Sequence, residues 1–383
     1  MRARQFLGSL LAVYVALMGA LGINYAVLWR AGELLGLDEI IVRQHRDGAI
    51  YNALSIGFAD YKYAAYRAAA PQIVAIGTSR AMQIRQHDFV APFYNLGGLT
   101  QGPDQANVLA DRLLLHGDAP RLVIFALDFW TFCQPPGQSW GGRPAETASV
   151  HDGMGEPPRH FLAYRLLLEG RFTIADYVRL FSPQSADQAD RIGLGARLGA
   201  SGFAADGSIY GAAPESALDA RWVGMFARIA AGTDQFVKDC SVSQAALDAL
   251  QLFVKRLEAV GIRVAMLLAP LPGAVIERLE AEGRYAYLNE LRRLLAARFP
   301  HQFDDFLDLR GVAPDAEFLD GMHGGEVTYL RMILAMAQRA GSPLRGLVDE
   351  AGLETLIDRW AGHTGIPTDP INRKFFPEEA TRL

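Results

Sequence analysis

At 383 residues, half of them hydrophobic, the chain can bury a sizeable core in one large or two ordinary domains, which excludes a wholly disordered protein. Its net charge of −5, without a Lys/Arg-rich run, argues against nucleic acid as the main partner, because phosphate binding needs a concentrated basic surface. Its two cysteines, Cys133 and Cys240, are too few for a disulfide framework or a zinc site of the usual spacing. They permit either one bridge or two buried thiols.

The first part of the chain is strongly apolar. Phe6–Ile23 contains no charged residue, and NYAVLW extends the apolar segment to Trp29. About 20 apolar residues cross a bilayer as a helix, whereas a signal-peptide core usually has about 7–15. We therefore predict a transmembrane anchor over 1–30, in contact with lipid through 6–29; a cleaved signal peptide and a buried soluble helix are the alternatives. Because Arg2 and Arg4 precede the segment, the positive-inside rule predicts that everything after it is extracytoplasmic.

After a helix-prone, aromatic-rich segment at 31–70, predicted to be a juxtamembrane connector, the main domain at 71–340 alternates strand-like and helical runs. The predicted strands are Gln72–Ile76, Arg121–Leu127, Arg263–Leu268 and Phe303–Leu309. The predicted helices are Asp104–Leu115, Ser243–Val260, Ala274–Arg298 and Glu326–Arg339. This alternation predicts an α/β domain with a mostly parallel sheet and helices on both faces.

The alternation fails within the main domain between about 134 and 236. This stretch is rich in glycine and proline and holds only short helical runs such as Arg159–Leu168. It is predicted to be an insertion over one end of the sheet, where loops tend to carry binding specificity. A C-terminal extension at 341–383 is predicted to contain one amphipathic helix, Pro343–Trp360.

Ser79 lies in the segment QIVAIGTSRAMQI, directly after the first predicted strand. A strand, a tight turn and a helix in that order place the serine at the carboxyl end of a strand, beside helical N–H groups that lack partners. Serine is a common helix N-cap, so capping is one interpretation. A nucleophile is the other, and it needs a general base nearby.

The segment FLDGMHGGEVTYL supplies a candidate base, because Asp320 and His323 stand three residues apart in a glycine-flanked turn. This spacing allows the carboxylate to accept a hydrogen bond from Nδ1–H of the imidazole, which leaves Nε2 to take a proton from a hydroxyl. An aspartate in a loop can equally form an Asx turn. Asp-x-x-His combined with Gly-x-Ser is the more specific signal.

These residues resemble the SGNH/GDSL hydrolase superfamily. Gly77-Thr78-Ser79 is similar to the first sequence block of that family and Asp320-Gly321-Met322-His323 to its closing block, so the resemblance extends over about Gln72–Ala340. It implies a three-layer α/β/α sandwich in which Ser79 is the nucleophile, His323 the base and Asp320 the orienting acid. It implies neither a metal nor a cofactor.

The segment YNLGGLTQG resembles the second block, whose glycine N–H helps to form the oxyanion hole. The resemblance implies that the Ser79 amide and the amide of Gly97 or Gly98, most simply the first, hold the oxyanion. Asn95 and Arg80 are further candidates for this region.

The third block of the family normally contains an asparagine that donates to the oxyanion, but the matching position in ALDF is Asp128. An ionised carboxylate beside a developing oxyanion would be repulsive in a site without water. Asp128 is therefore predicted to be turned away, protonated or bound to another group.

The predicted anchor and domain together resemble the membrane-anchored branch of the superfamily, such as the D-alanyl transfer protein of teichoic acid synthesis and polysaccharide O-acetyltransferases. The resemblance implies a single-pass protein of the inner (cytoplasmic) membrane whose periplasmic domain acylates an envelope polysaccharide from an acyl donor. It also implies a multispanning membrane-bound O-acyltransferase as partner. A non-catalytic scaffold for that partner and a simple carboxylesterase are the alternatives. An α/β-hydrolase elbow fits less well, because its acid and histidine come from separate loops.

Overall fold

The computed structural model describes residues 2–114, 119–137, 159–183, 188–199, 201–211 and 220–375. The chain divides into two units, Met1–Ala64 with Val150–Ala205 and Ala65–Ser149 with Asp206–Leu383. Most of the predicted connector and the middle of the predicted insertion thus belong to one unit with the apolar helix. Parts of the insertion (138–158, 184–187, 200 and 212–219) and of the C-terminal extension (376–383) lie outside the described residues.

The helices and strands follow one another in short segments. The helices are α1 (Arg2–Ala31), α2 (Leu37–Asp47), α3 (Phe58–Ala69), α4 (Pro103–Leu114), α5 (Leu162–Leu168), α6 (Ile174–Leu180), α7 (Leu194–Leu198), α8 (Ala220–Ala231), α9 (Gln244–Glu258), α10 (Gly273–Glu282), α11 (Tyr287–Arg298), α12 (Glu326–Gln338), α13 (Glu350–Trp360) and α14 (Asn372–Phe375). The strands are β1 (Ile50–Tyr51), β2 (Ile73–Gly77), β3 (Phe93–Asn95), β4 (Leu122–Leu127), β5 (Cys133–Gln134), β6 (Arg191–Ile192), β7 (Gly202–Phe203), β8 (Ile209–Tyr210), β9 (Ser241–Val242), β10 (Arg263–Leu268) and β11 (Phe303–Asp305).

Helix α1, with 30 residues, is the long apolar helix of the first unit. Residues Ala3–Ala31 are long and apolar enough to cross a membrane, and none of the apolar 18-residue window is buried by the protein. Its last turns differ, because Val27, Leu28 and Ala31 are buried against α5, α6 and α7. The predicted anchor boundary at residue 30 therefore falls inside a helix that continues from an exposed apolar segment into a protein core.

The second unit is built on a five-stranded sheet with the order β11-β10-β4-β2-β3, in which every neighbouring pair is parallel. From β2 the chain moves to one side to form β3 and then to the other to form β4. The strand order thus reverses between β2 and β4, and in open α/β sheets ligands bind at such a point, outside the carboxyl ends of the strands.

Strands β2 and β4 are buried along their whole length, as expected of parallel strands covered on both faces. Apolar side chains of α12 and α13 pack with Ile73, Ile124 and Leu267 in one core. Alternate residues point the other way, and Phe125 of β4 meets Phe253 of α9 edge to face at 5.4 Å between ring centroids. The described chain is a mixed α/β protein with a mostly parallel sheet.

The structure differs from the predicted elements at a few identifiable places. Gly283, in the left-handed conformation with φ +65°, ends α10 and divides the predicted helix Ala274–Arg298 in two. Helix α13 begins only at Glu350, where the Asp349 side chain accepts the Gly352 N–H as a cap. Strand β3 was not predicted, because a three-residue run shows no periodicity of its own.

Cys133 and Cys240 form a disulfide, and their strands β5 and β9 pair antiparallel beside it. Of the two states that the sequence permits, the structure thus has the bridge. It closes a loop with a sequence separation of 107 residues. Such a bridge stabilises mainly by restricting the unfolded chain, by about 4–5 kcal/mol for a loop of this length in the chain-entropy model.

Reduction of this disulfide should therefore lower the thermal unfolding midpoint of the second unit. We expect the free energy of unfolding to fall by about 2–5 kcal/mol, measured in detergent with and without dithiothreitol. A Cys133→Ala, Cys240→Ala variant is the matched control, since its midpoint should be low and insensitive to the reductant. Equal midpoints for the oxidised and reduced wild type would contradict a structural role for the bridge.

Candidate functional site

A glycine turns the chain sharply at the end of β2 and thereby sets the position of Ser79. Gly77 has φ +143°, and a Cβ atom there would lie 2.7 Å from the carbonyl oxygen of Ala126, so only glycine fits. After this turn Thr78 and Arg80 are buried, whereas Ser79 between them is exposed. The serine hydroxyl is thus presented to solvent at the carboxyl end of the sheet, beside the reversal of strand order.

Ser79 is not the cap of the element that follows it. That element is a 3-10 turn, Ser79–Gln83, instead of the predicted α-helix, and its N-cap is Thr78. The Thr78 hydroxyl accepts the N–H of Arg80 at 3.3 Å. Because its neighbour satisfies the capping requirement, the Ser79 hydroxyl is free of that task.

Ser79, His323 and Asp320 meet in one hydrogen-bonded chain, although 244 positions in sequence separate the serine from the histidine. The Ser79 hydroxyl lies 2.9 Å from Nε2 of His323. Nδ1 of the same ring lies 2.9 and 3.0 Å from the two carboxylate oxygens of Asp320. This is the nucleophile–base–acid geometry that defines a serine catalytic triad.

The Asp320 turn is organised to hold the imidazole. Its Oδ1 accepts the backbone N–H groups of Met322 at 2.7 Å and His323 at 2.9 Å, which is an Asx turn that also carries the triad contact. Burial alone would raise the pKa of Asp320, but the hydrogen bond from His323 and its charge hold it at about 2. An ionised carboxylate at Nδ1 keeps the proton on that nitrogen and leaves Nε2 as the acceptor.

The two glycine amides predicted to hold an oxyanion already have acceptors within the protein. Gly97 N–H donates to Oδ1 of Asn95 at 2.7 Å, and Gly98 N–H donates to the carbonyl oxygens of Gly77 and Thr78 at 2.8 and 3.2 Å. Within the described part of the chain the Ser79 amide makes no hydrogen bond. Of the three predicted donors it is thus the one without an acceptor in this conformation, and the oxyanion roles of Ser79, Gly97 and Gly98 remain predictions.

Asn95 has a structural position. It is fully buried, and its Nδ2 donates to the carbonyl oxygens of Ala81 and Ile84 at 2.8 Å each. With the Gly97 contact, the side chain links the turn after Ser79 to the glycine loop after β3. Asn95 therefore stabilises the backbone of the predicted oxyanion region through hydrogen bonds to both of its segments.

Asp128, which stands at the position where the sequence resemblance predicts an oxyanion amide, is bound to the two neighbours of the serine. Its Oδ1 accepts Nη1 of Arg80 at 2.9 Å, and its Oδ2 accepts the Thr78 hydroxyl at 2.7 Å. Burial raises the pKa of Asp128, while the Arg80 charge and the Thr78 hydrogen bond oppose that rise. Of the three sequence alternatives, the structure thus has the carboxylate bound to another group.

Arg80 is buried, and both of its terminal nitrogens are bonded within the protein. Its side chain is only 2% exposed and also donates from Nη2 to the carbonyl oxygen of Pro270. The ring of Trp130 lies 5.4 Å from the guanidinium carbon, a cation–π contact, and the Tyr329 hydroxyl donates to the Arg80 backbone carbonyl. Arg80 therefore cannot reach a substrate in this conformation and instead fixes the backbone of Ser79.

A second buried charge cluster, missed by sequence reasoning, joins the serine segment to the histidine segment. Arg85 Nε and His87 Nε2 each lie 3.1 Å from Oε1 of Glu326. His87 also lies 3.5 Å from Oδ1 of Asp88, its neighbour in sequence, whereas Glu326 is far from it along the chain. Because Glu326 begins α12 directly after the His323 turn, the cluster joins the segment after Ser79 to the segment after His323.

The pKa values in this cluster follow from burial and charge together. Burial alone would lower the pKa of His87, but the hydrogen bond to Glu326 and the charges of Asp88 and Glu326 raise it to about 9. Burial raises the pKa of Asp88 to about 7. Burial alone would also raise the pKa of Glu326, but the charge of Arg85 and the hydrogen bond from His87 hold that pKa at about 2.

The raised pKa of His87 predicts a loss of stability in alkaline solution. Its protonated form is favoured by folding, so this contribution is complete below the ordinary pKa of about 6.5 and is lost as the pH rises through about 9. We expect a fall of roughly 1–3 kcal/mol over that window in thermal or urea unfolding. Ionisation of Asp88 acts in the same direction at lower pH, because the pKa of this buried carboxyl is raised from its ordinary value of about 4 to about 7, and its contribution is lost mostly before the His87 window begins.

His87→Gln is the control that isolates the histidine, because Asp88 and Glu326 stay in place. The variant should be less stable than wild type at pH 6 and should lose less stability between pH 6.5 and 9. Parallel stability profiles for the two proteins would contradict the assignment.

Comparison with known proteins adds no family to these observations. No family model, no curated protein and no solved structure matches the chain. Among the described residues, no group of three or more His, Cys, Asp or Glu side chains is placed to hold a metal ion. The interpretation of the site therefore depends on its sequence motifs and its own geometry.

Proposed function

We propose that this protein is a membrane-anchored serine acyltransferase or esterase of the SGNH type that acts in O-acylation of a cell-envelope polysaccharide. The observation that carries the proposal is the hydrogen-bonded chain from the Ser79 hydroxyl through His323 to Asp320. The serine is exposed while its two neighbours are buried, as a nucleophile requires.

The first half of the reaction transfers an acyl group to the enzyme. Ser79 Oγ attacks the carbonyl carbon of the acyl donor as Nε2 of His323 takes the hydroxyl proton. The Ser79 amide donates to the oxyanion of the tetrahedral intermediate. When that intermediate collapses, the bond to the leaving oxygen breaks, and the imidazolium returns the proton to it.

The second half releases the acyl group to an acceptor. His323 deprotonates a polysaccharide hydroxyl, which attacks the carbonyl of the acyl-serine and leaves with the acyl group, while Ser79 regains its proton. Water in place of the hydroxyl gives ester hydrolysis by the same steps. Transferase and esterase therefore differ in the acceptor that reaches His323.

The proposed location is the inner membrane, with α1 as a single span and the second unit in the periplasm. The length and apolar composition of α1 support the span. The Cys133–Cys240 disulfide supports an oxidising compartment, because such bridges are rare in the cytosol. We extend the mixed α/β description of the second unit to a three-layer SGNH-like sandwich, supported by α12 and α13 on one face and α9 on the other.

The substrate and partner are proposed from the resemblance. An acyl donor and an envelope polysaccharide would be the substrates, with an acetyl or D-alanyl group transferred. A multispanning membrane-bound O-acyltransferase would be the partner that supplies or receives the acyl group. A simple carboxylesterase would use the same triad without that partner.

A second candidate, a non-catalytic scaffold for the same partner, is favoured by one observation. The Gly97 and Gly98 amides are engaged, and Asp128 replaces the usual amide donor, so one predicted oxyanion donor is available. Removing one donor from an oxyanion hole typically costs about 100- to 1,000-fold in rate. A site with so few oxyanion donors would be a weak hydrolase or a non-catalytic scaffold.

An assay of the full chain in detergent separates these functions. With p-nitrophenyl acetate as donor, we expect ester cleavage that requires Ser79, and acetyl transfer when a de-O-acylated polysaccharide is added. Cleavage without transfer would identify the esterase. No cleavage and no transfer by the folded protein, alone or with the partner enzyme, would leave the scaffold.

A further inference from the structure

Helix α6 of the first unit presents an apolar face to the outside. Ile174, Val178 and Phe181 occur at i, i+4 and i+7 and therefore share one face of the helix and its C-terminal end. All three are more than half exposed, Ile174 by 68%. Leu168 at the end of α5 and Phe161 at its start are exposed as well. We call these five side chains the apolar patch.

This patch belongs to the helices that pack on the last turns of α1. Tyr164 of α5 donates from its hydroxyl to the carbonyl oxygen of Ala20 at 2.8 Å. Asn24, fully buried, donates from Nδ2 to the carbonyl oxygen of Arg159 and accepts the N–H of Ala163. Arg30 donates to the carbonyl oxygen of Leu180, at the end of α6. Helices α5 and α6 are therefore fixed to α1 between residues 20 and 31.

The length of α1 sets the depth of these contacts if the helix spans a bilayer. The uncharged segment Phe6–Ile23 would be about 27 Å long at a rise of 1.5 Å per residue, close to the thickness of a hydrocarbon core. Its distal end, Ala20–Asn24, would then lie at the boundary between acyl chains and headgroups. The α5 residues bonded to that end would lie at the same level, whereas the contact of Leu180 with Arg30, about 10 Å further along α1, would place the end of α6 among the headgroups.

Charge and aromatic residues fit this boundary. Trp29, 71% exposed, is of the type enriched at membrane–water interfaces. Charged side chains on and beside α5 and α6 form the pairs Arg165–Glu169 and Arg179–Asp176, and Arg171 between the two helices adds one exposed positive charge. An apolar face that is continuous with a spanning helix and flanked by such residues is suited to lipid.

We propose that α5 and α6 form a membrane seat, in which the apolar patch inserts into the leaflet at the distal end of α1. The inference rests on the proposed anchor but does not depend on the proposed chemistry. It explains why five large apolar side chains are exposed on and beside two short helices that pack on α1. The first unit would then lie against the bilayer instead of projecting from it on a single helix.

Three exposed valines on helices of the first unit allow a matched test: Val178 in the patch, Val13 in the middle of α1 and Val42 on α2 beside the charged Arg43 and Glu39. Each is changed to cysteine in the full chain, labelled with a nitroxide and reconstituted into lipid vesicles that contain no other protein. The native cysteines are bonded to each other, so the added thiol is the labelling site. Accessibility to oxygen, which concentrates in lipid, is compared with accessibility to a water-soluble nickel chelate.

We expect oxygen to dominate at Val13 and Val178, and the nickel chelate to dominate at Val42 by at least several-fold. A lipid-accessible Val13 with a water-accessible Val178 would overturn the seat and keep the anchor. A water-accessible Val13 would overturn both. If Val178 were shielded in native membranes but water-accessible in pure lipid, the occupant would be a protein and the proposal would be wrong. Ile174→Cys repeats the test should Val178→Cys fail to fold.

Discussion

Replacing Ser79 with alanine should lower acyl transfer and ester cleavage by roughly three or more orders of magnitude while the protein stays folded. In the proposed mechanism the hydroxyl 2.9 Å from Nε2 of His323 forms the acyl bond, so the variant would have no atom to carry the covalent intermediate. The unfolding midpoint should change little, since Thr78, not Ser79, caps the turn. Rate is measured with p-nitrophenyl acetate and stability by thermal unfolding in the same detergent.

The other triad members give a graded pattern that a structural role would not produce. His323→Ala should match Ser79→Ala, and the double variant should be no worse than either, because the two residues act as one unit. Asp320→Asn should be equal or less severe, since it disturbs the orientation of the imidazole and removes no reacting atom. Ser241→Ala and His301→Ala, at exposed positions outside the site, are the matched controls. Full activity of a folded Ser79→Ala protein would contradict the assignment of Ser79 as the nucleophile.

Removing the carboxylate of Asp128 should destabilise the second unit by about 3–5 kcal/mol. In Asp128→Asn the guanidinium of Arg80, 2% exposed, would stay buried without its counter-charge. Introducing the asparagine that SGNH/GDSL proteins have at the matching position should therefore lower ester cleavage, because Arg80 and Thr78 flank the serine and lose their partner. The free energy of unfolding from urea titration and the rate of ester cleavage are the two readouts.

A double substitution tests whether the loss of stability in Asp128→Asn comes from leaving Arg80 as an unpaired buried charge. Arg80→Met with Asp128→Leu should recover much of the stability, since buried ion pairs can be replaced by apolar residues at little cost. Glu280→Gln, which breaks the exposed pair between Arg310 and Glu280, is the control and should cost less than about 1 kcal/mol. If Asp128→Asn lowered the free energy of unfolding no more than that control, Asp128 would not be needed to neutralise the buried Arg80.

The parts of the site that are local in sequence could be predicted from it. Asp320 and His323 lie within one turn, so their spacing alone indicated that they could bond. Ser79 follows a buried strand that is readable from its β-branched residues, and the parallel sheet then brings it to the edge where ligands bind. Strand β10 was predicted at its observed bounds, because its apolar run is continuous.

The parts that depend on distant pairs could not be predicted. Glu326 meets Arg85 and His87 across some 240 positions, and nothing in the sequence near His87 indicates it. The Asn95 contact to the Gly97 amide depends on one side-chain rotamer, which the motif does not encode. Asp128 could be recognised as a departure from the family, but its partner Arg80 emerged only when β2 and β4 were placed side by side.

The claim that Ser79 is an activated nucleophile is tested most directly by covalent labelling. The full chain in detergent is treated with a fluorophosphonate, which reacts irreversibly with activated serines, and the adduct is located by peptide mass spectrometry. The account predicts one adduct, on Ser79, absent from Ser79→Ala and strongly slowed in His323→Ala. An unlabelled Ser79 in the folded wild-type protein, or equal labelling of Ser79→Ala, would contradict it.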